Sequence, residues 1–202
     1  SDNLDDNQGV NGNASNEGTT YAAFTIDFKG TQSRADGTDG THDGTLNEQK
    51  VKTAYVILVD ASGKIETVLE KSTNAKNAGE TGEGVYQVGE SEGEGKYRYL
   101  FQTTAGEHTF YAVINPDLAP NDESVTNIED YFTKAVAMSV EGDNPIVDPE
   151  ATGDGFMMTC QKAEKFYVNP DVTQEEALAA TNAKNNYTID VERVAAKVTV
   201  VA

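Results

Sequence analysis

Residues 21 to 29 read YAAFTIDFK, and their polarity alternates with a period of two. Ala22, Phe24, Ile26 and Phe28 share one parity; Tyr21, Ala23, Thr25, Asp27 and Lys29 share the other. Aromatic and β-branched residues at that period predict a half-buried β-strand. The signature returns along the chain at hairpin-like spacing, and this recurrence limits the fold more than any other feature. VKTAYVILV (51 to 59) is the most apolar stretch and is expected in the middle of a sheet. DASGK turns the chain, and KIETVL (64 to 69) returns as the second arm of a hairpin. Tyr86 and Val88 mark a short edge strand. KYRYLFQ (96 to 102), TFYAVIN (109 to 115) and FMMT (156 to 159) read as further strands.

The final segment, NYTIDVERVAAKVTVVA, places Tyr187, Ile189 and Val191 on one parity and Val194, Ala196, Val198 and Val200 on the other. The switch predicts a bulge or sharp bend near Glu192 and Arg193. Because the run stops while still apolar, the gene product is expected to continue. Two helices are expected between strands. Ser124 is placed to cap one over 125 to 137, with Ile128, Phe132 and Val136 forming its apolar stripe. Thr173 and Glu176 form a T-x-x-E capping box that opens a second. The sum is a mainly β chain, a β-sandwich of about seven strands with one or two short helices in the connections.

With no tryptophan, tyrosine and phenylalanine must supply the aromatic mass of that core. A formal net charge of −19 disfavours nucleic acid and anionic lipid, since binding phosphate needs a basic face. The longest apolar run, AYVILV, is too short to cross a bilayer. No signal peptide is recognisable, so the chain is either cytosolic or has a targeting segment before Ser1. Residues 1 to 20 are acidic, asparagine-rich and nearly devoid of apolar side chains, which predicts a disordered tether.

Little points to catalysis or metal binding. Cys160 stands alone, which forbids an intrachain disulfide, and reads as a buried inert thiol. His42 and His108 are too scattered for a zinc site. Asp36, Asp39 and Asp43 lack the spacing of a calcium loop. Glu175 and Glu176 read as first-turn helix charges rather than a catalytic pair. No nucleophile motif or phosphate-binding loop occurs. The chain is therefore expected to be neither an enzyme nor a cofactor binder.

Arginine is the informative residue type. Of Arg34, Arg98 and Arg193, the last two fall in expected strands. Arg34 falls in GTQSRADGTDGTHDGT (30 to 45), a glycine- and aspartate-rich loop open to proteolysis. The bond Arg34–Ala35 would then be the one good target for an arginine-specific protease.

Several segments, in one order, carry a family resemblance: the alternating strand followed by SRADG, KVKTAYVILVD, GEHTFYAVINP, FMMTC and VERVAAKVTV. Together they resemble the Bacteroidales fimbrillins, the type V pilins, and most closely the shaft pilins of the minor fimbria. The resemblance implies a transthyretin-like Greek-key sandwich, residues 35 to 202 forming the N-terminal pilin domain of two. The second domain would lie outside this sequence. It further implies a lipoprotein precursor carried to the outer membrane, its lipidated cysteine just before Ser1. An extracellular arginine-specific protease would cut at Arg34–Ala35 and release residues 21 to 34 as a pro-segment. The groove left by Ala22, Phe24, Ile26 and Phe28 would be refilled by a strand from another subunit, a copy of this chain or a different fimbrial protein. Alternatives are a surface-exposed lipoprotein that binds glycan or host protein, or a fimbrial tip or anchor subunit.

Overall fold

The computed structural model describes residues 20–28, 51–71, 75–89, 93–141, 157–160 and 163–194. The expected tether before Thr20, the loop with Arg34, Ala35, Asp36, Asp39, His42 and Asp43, Phe156, and the tail after Val194 lie outside the described residues. Nine strands, two α-helices and one 3-10 turn make up the described chain. The strands are β1 (Thr20–Phe28), β2 (Ala54–Val59), β3 (Ile65–Glu70), β4 (Gly84–Gln87), β5 (Tyr97–Thr103), β6 (Gly106–Ile114), β7 (Met158–Thr159), β8 (Glu164–Val168) and β9 (Asn186–Arg193). The helices are α1 (Ile128–Glu141) and α2 (Gln174–Ala177), and Gly93–Lys96 forms the 3-10 turn.

The strands form a mainly β, sandwich-like fold. One side runs β9-β1-β5-β4, and the other runs β3-β2-β6, with β8 also paired to β6. Short β7 joins the two by pairing with both β6 and the end of β9. β9 lies parallel to β1 through Val191, then pairs antiparallel with β7 from Glu192. The change of sheet falls where the apolar parity of the sequence switches.

Three apolar layers follow from the pleat. Alternate residues of β2, Ala54, Val56 and Leu58, face the space between the sheets, while Tyr55, Ile57 and Val59 face α1. Cover on both sides explains why AYVILV needs no polar residue. Between the sheets, Phe24 meets Phe101, Phe110, Phe166 and Tyr187 with ring centroids 4.1 to 5.8 Å apart. Under α2, a smaller cluster holds Ala23, Tyr86, Leu100, Val172 and Ala177.

Four local expectations need correction. Thr20, assigned to the tether, is the buried first residue of β1. β1 departs from a half-buried strand at one residue: Ala23, on the face where Tyr21, Thr25 and Asp27 are partly exposed, is as fully covered as Ala22. α1 begins at Ile128, and its first turn is capped by Asn127, whose Oδ1 accepts from Glu129 N at 2.9 Å. Ser124 instead donates to Asp122 in the preceding turn. The capping box at Thr173 and Glu176 forms as its motif predicts, but α2 stops after one turn.

Candidate functional site

β1 lies between two neighbours in its sheet. On one edge it runs antiparallel to β5, from Thr20↔Thr103 to Phe24↔Tyr99. On the other it runs parallel to β9, from Ala23↔Asn186 to Phe28↔Val191. It thus sits in the interior of its sheet and supplies backbone partners to two neighbours. Ala22, Phe24 and Ile26 are buried in the main core, and Phe28 is partly buried against it. A seat of this kind, emptied, would expose an apolar trough with two unpaired edges.

The N-terminal end of the seat is polar and buried. Asn185 is the hub, 5% exposed and at φ 50°, in the left-handed region that asparagine tolerates better than most residues. Its Nδ2 donates to Tyr21 O and Asn169 O, both at 2.9 Å. Its Oδ1 accepts from Asn169 N at 3.0 Å, and its own carbonyl accepts from Ala23 N at 2.8 Å. Thr20 is bound twice: Oγ1 donates to Asn169 O at 2.6 Å and accepts from Val172 N at 3.1 Å. Tyr21 N donates to Val172 O at 3.1 Å.

Beyond the reach of β5, the second half of β1 borders a cleft lined in part by Thr25, Phe28, Lys71 and Glu94. Glu94, in the 3-10 turn, is 1% exposed. Its Oε1 accepts from the Tyr99 hydroxyl at 2.7 Å, and the Lys71 ammonium stands 2.8 Å from Oε2. That ammonium also lies 4.8 Å from the centre of the Tyr97 ring. Burial, and then the neighbouring Glu94 carboxylate, push the Tyr99 hydroxyl well above its ordinary range. Nothing in the sequence marks this cluster, because Lys71, Glu94 and Tyr99 meet only once β5 and its preceding turn are in place.

The other singled-out residues have structural surroundings. Cys160 is buried, and burial raises its thiol, which keeps it protonated and unreactive at neutral pH. His108 Nε2 donates to Thr104 O at 2.8 Å and closes the turn between β5 and β6. Glu176 serves the capping box, and the backbone N–H of Thr173 lowers its carboxyl. Among the described residues no three metal-ligating side chains gather, and no helix is long and apolar enough to cross a membrane. Arg98 donates from Nη1 to Gly95 O at 2.7 Å.

No protein-family model matches the chain, and no curated protein sequence is similar to it. Among solved structures, the chain is similar to a fimbrial assembly protein from Parabacteroides distasonis, at TM-score 0.35 and 12% identity. That match covers 85% of this chain and 51% of the other. It is also similar to the tip fimbrial protein Mfa3 from Porphyromonas gingivalis with C-terminal truncation, at TM-score 0.39 and 15% identity. Here the shares are 86% and 48%. The chain therefore spans about half the length of either structure. At these values neither likeness bears on function.

Proposed function

We propose that this chain is a structural, non-catalytic subunit of a cell-surface fimbria that polymerises by strand replacement. The observation that supports this reading is the position of β1: an interior strand of its sheet that leads, a few residues on, to Arg34. In the proposed sequence of events, a lipoprotein precursor reaches the outer membrane with β1 seated. An arginine-specific protease cuts Arg34–Ala35, and the residues up to Arg34 leave together, the pro-segment 21 to 34 among them. Residues 35 to 202 remain as the N-terminal pilin domain, followed by a second domain.

Energetics make β1 an effective block before the cut. Burial of Phe24 and Ile26 contributes roughly 1.5–3 kcal/mol each, and the ladders on both edges add to it. While β1 is covalently attached, a competing strand must displace it against that whole sum. Once cut, β1 can dissociate, and an extended segment of the next subunit can enter by strand addition. Head-to-tail repetition of that step builds an open filament rather than a closed ring. Arg98, half-buried within β5, is a poor protease substrate beside a loop arginine.

Treatment of the whole protein with an arginine-specific protease tests the reading. Cleavage at Arg34–Ala35, seen by N-terminal sequencing, should precede appearance of polymer by electron microscopy, and Arg34→Ala should prevent both. Polymer formation by uncut Arg34→Ala protein would remove the processing step from the proposal.

A further inference from the structure

We infer that the seat of β1 is sequence-selective, and that the strand replacing β1 comes from a neighbouring subunit and carries a hydroxyl, two small residues and an aromatic at the positions of Thr20, Ala22, Ala23 and Phe24. The inference rests on the proposed replacement of β1 and adds what the incoming strand must look like. β1 itself, seated in the folded chain, is the template.

Asn185 reads only backbone: it bonds Tyr21 O and Ala23 N, which any residue offers in an extended strand. Selectivity must come from side chains. At Thr20 the hydroxyl both donates, to Asn169 O, and accepts, from Val172 N, while only 2% exposed. A valine there fills the space but leaves the buried Val172 N–H without a partner, while Asn169 O keeps only its bond from Asn185 Nδ2. At Ala22 and Ala23 no surface is exposed on either face of the strand. Ala23 lies under Val172 and Ala177, and α2 is tied there by Asn186 Nδ2, which donates to Ala177 O at 2.8 Å. A branched side chain at that position must push α2 off the sheet. At Phe24 the four surrounding rings define a pocket that an aliphatic side chain leaves part-empty. By contrast Thr25 is partly exposed and tolerates exchange.

Peptide exchange tests this in the whole protein, nicked in the segment between β1 and β2 so that β1 stays seated but untethered. The nick is made by the arginine-specific protease or, in parallel, at an inserted recognition sequence for an unrelated protease. Fluorescent TYAAFTIDF is expected to exchange into the seat, read by anisotropy. Peptides carrying Ala23→Leu or Thr20→Val should bind at least ~10-fold more weakly, and one carrying Thr25→Val should match the parent. Equal binding of all four overturns the inference. The same substitutions in the intact chain give a second readout: Ala23→Leu and Thr20→Val should lower the urea midpoint while Thr25→Val leaves it in place. Equal midpoints also overturn it. Selective exchange after the inserted-site nick, without cleavage at Arg34, sinks the processing reading and keeps selectivity. Protease-dependent polymer with unselective exchange does the reverse.

Discussion

The rings of Phe24 and Phe110 meet at 4.1 Å across the space between the two sheets. Phe24 belongs to the β9-β1-β5-β4 side, and Phe110 to the β3-β2-β6 side. Phe24 is thus the point at which the first strand holds the sheets together. Phe24→Ala should lower unfolding free energy by about 3–5 kcal/mol, and Phe24→Leu by clearly less. Urea unfolding followed by circular dichroism measures both. A loss no larger than that of an exposed position would show that β1 does not bear on the core.

Lys71 and Glu94 give a second expectation. Lys71→Met leaves the Glu94 carboxylate buried beside an apolar side chain, a change that costs about 3 kcal/mol. This is the low end for a broken buried pair, because the Lys71 side chain keeps 20% of its surface in water. Adding Glu94→Gln should recover much of the loss, since glutamine is neutral and still accepts from Tyr99. A double variant no more stable than Lys71→Met would contradict this account.

Alkaline pH should unfold the protein in a definite direction. Burial raises the hydroxyls of Tyr55, Tyr86, Tyr99 and Tyr131 above their ordinary value. The folded state holds these protons after the unfolded chain has lost them. Their contribution is complete below pH about 10 and is lost as pH rises through the folded values. Urea midpoints should therefore be insensitive to these groups up to pH about 10 and fall above it, with tyrosinate absorbance rising together with unfolding. Ionisation of all tyrosines without loss of structure would count against the burial described here.

Asn185 should be poorly replaceable. Asn185→Ala removes the side-chain bonds to Tyr21 and Asn169 and places a Cβ residue without a polar side chain at positive φ. A loss of about 3 kcal/mol is expected. Asn185→Gly relieves the backbone but not the lost bonds, so it should fall between alanine and the parent. Glycine restoring full stability would mean that the side chain contributes nothing.

Much of the architecture was legible because period-two alternation is a local signal. β1 and β5 each carry it, β2 and β6 stand out instead as short apolar runs, and the parity switch in β9 announced the change of sheet. β8 was passed over: Glu164 and Lys165 make EKFYV look like surface, and only Phe166 and Val168 turn inward. Ala23 gave no sign of burial because alanine suits either face. Asn127 lost the cap to Ser124 in the reading because both residue types cap well, and the choice depends on Gly63 O, which accepts from Ile128 N. Arg34 and Ala35 were read from loop composition together with the family resemblance, and they lie outside the described residues. The buried Glu94 and Asn185 contacts were invisible because they join segments far apart in sequence.

The parallel pairing of β1 with β9 also fixes the order in which the molecule can be completed. Tyr21 and Asn185, bonded in the finished fold, are 164 residues apart in the chain. Of the described strands, the one synthesised first has a final place that is incomplete until the one synthesised last has emerged. Closing so long a loop is slow, and it comes late by topology. The second sheet and its α1 layer can gather through nearer contacts while β1 waits. Until β9 emerges, the seat of every newly made copy is therefore open along the edge that β9 later closes, whatever β1 has already gained from β5.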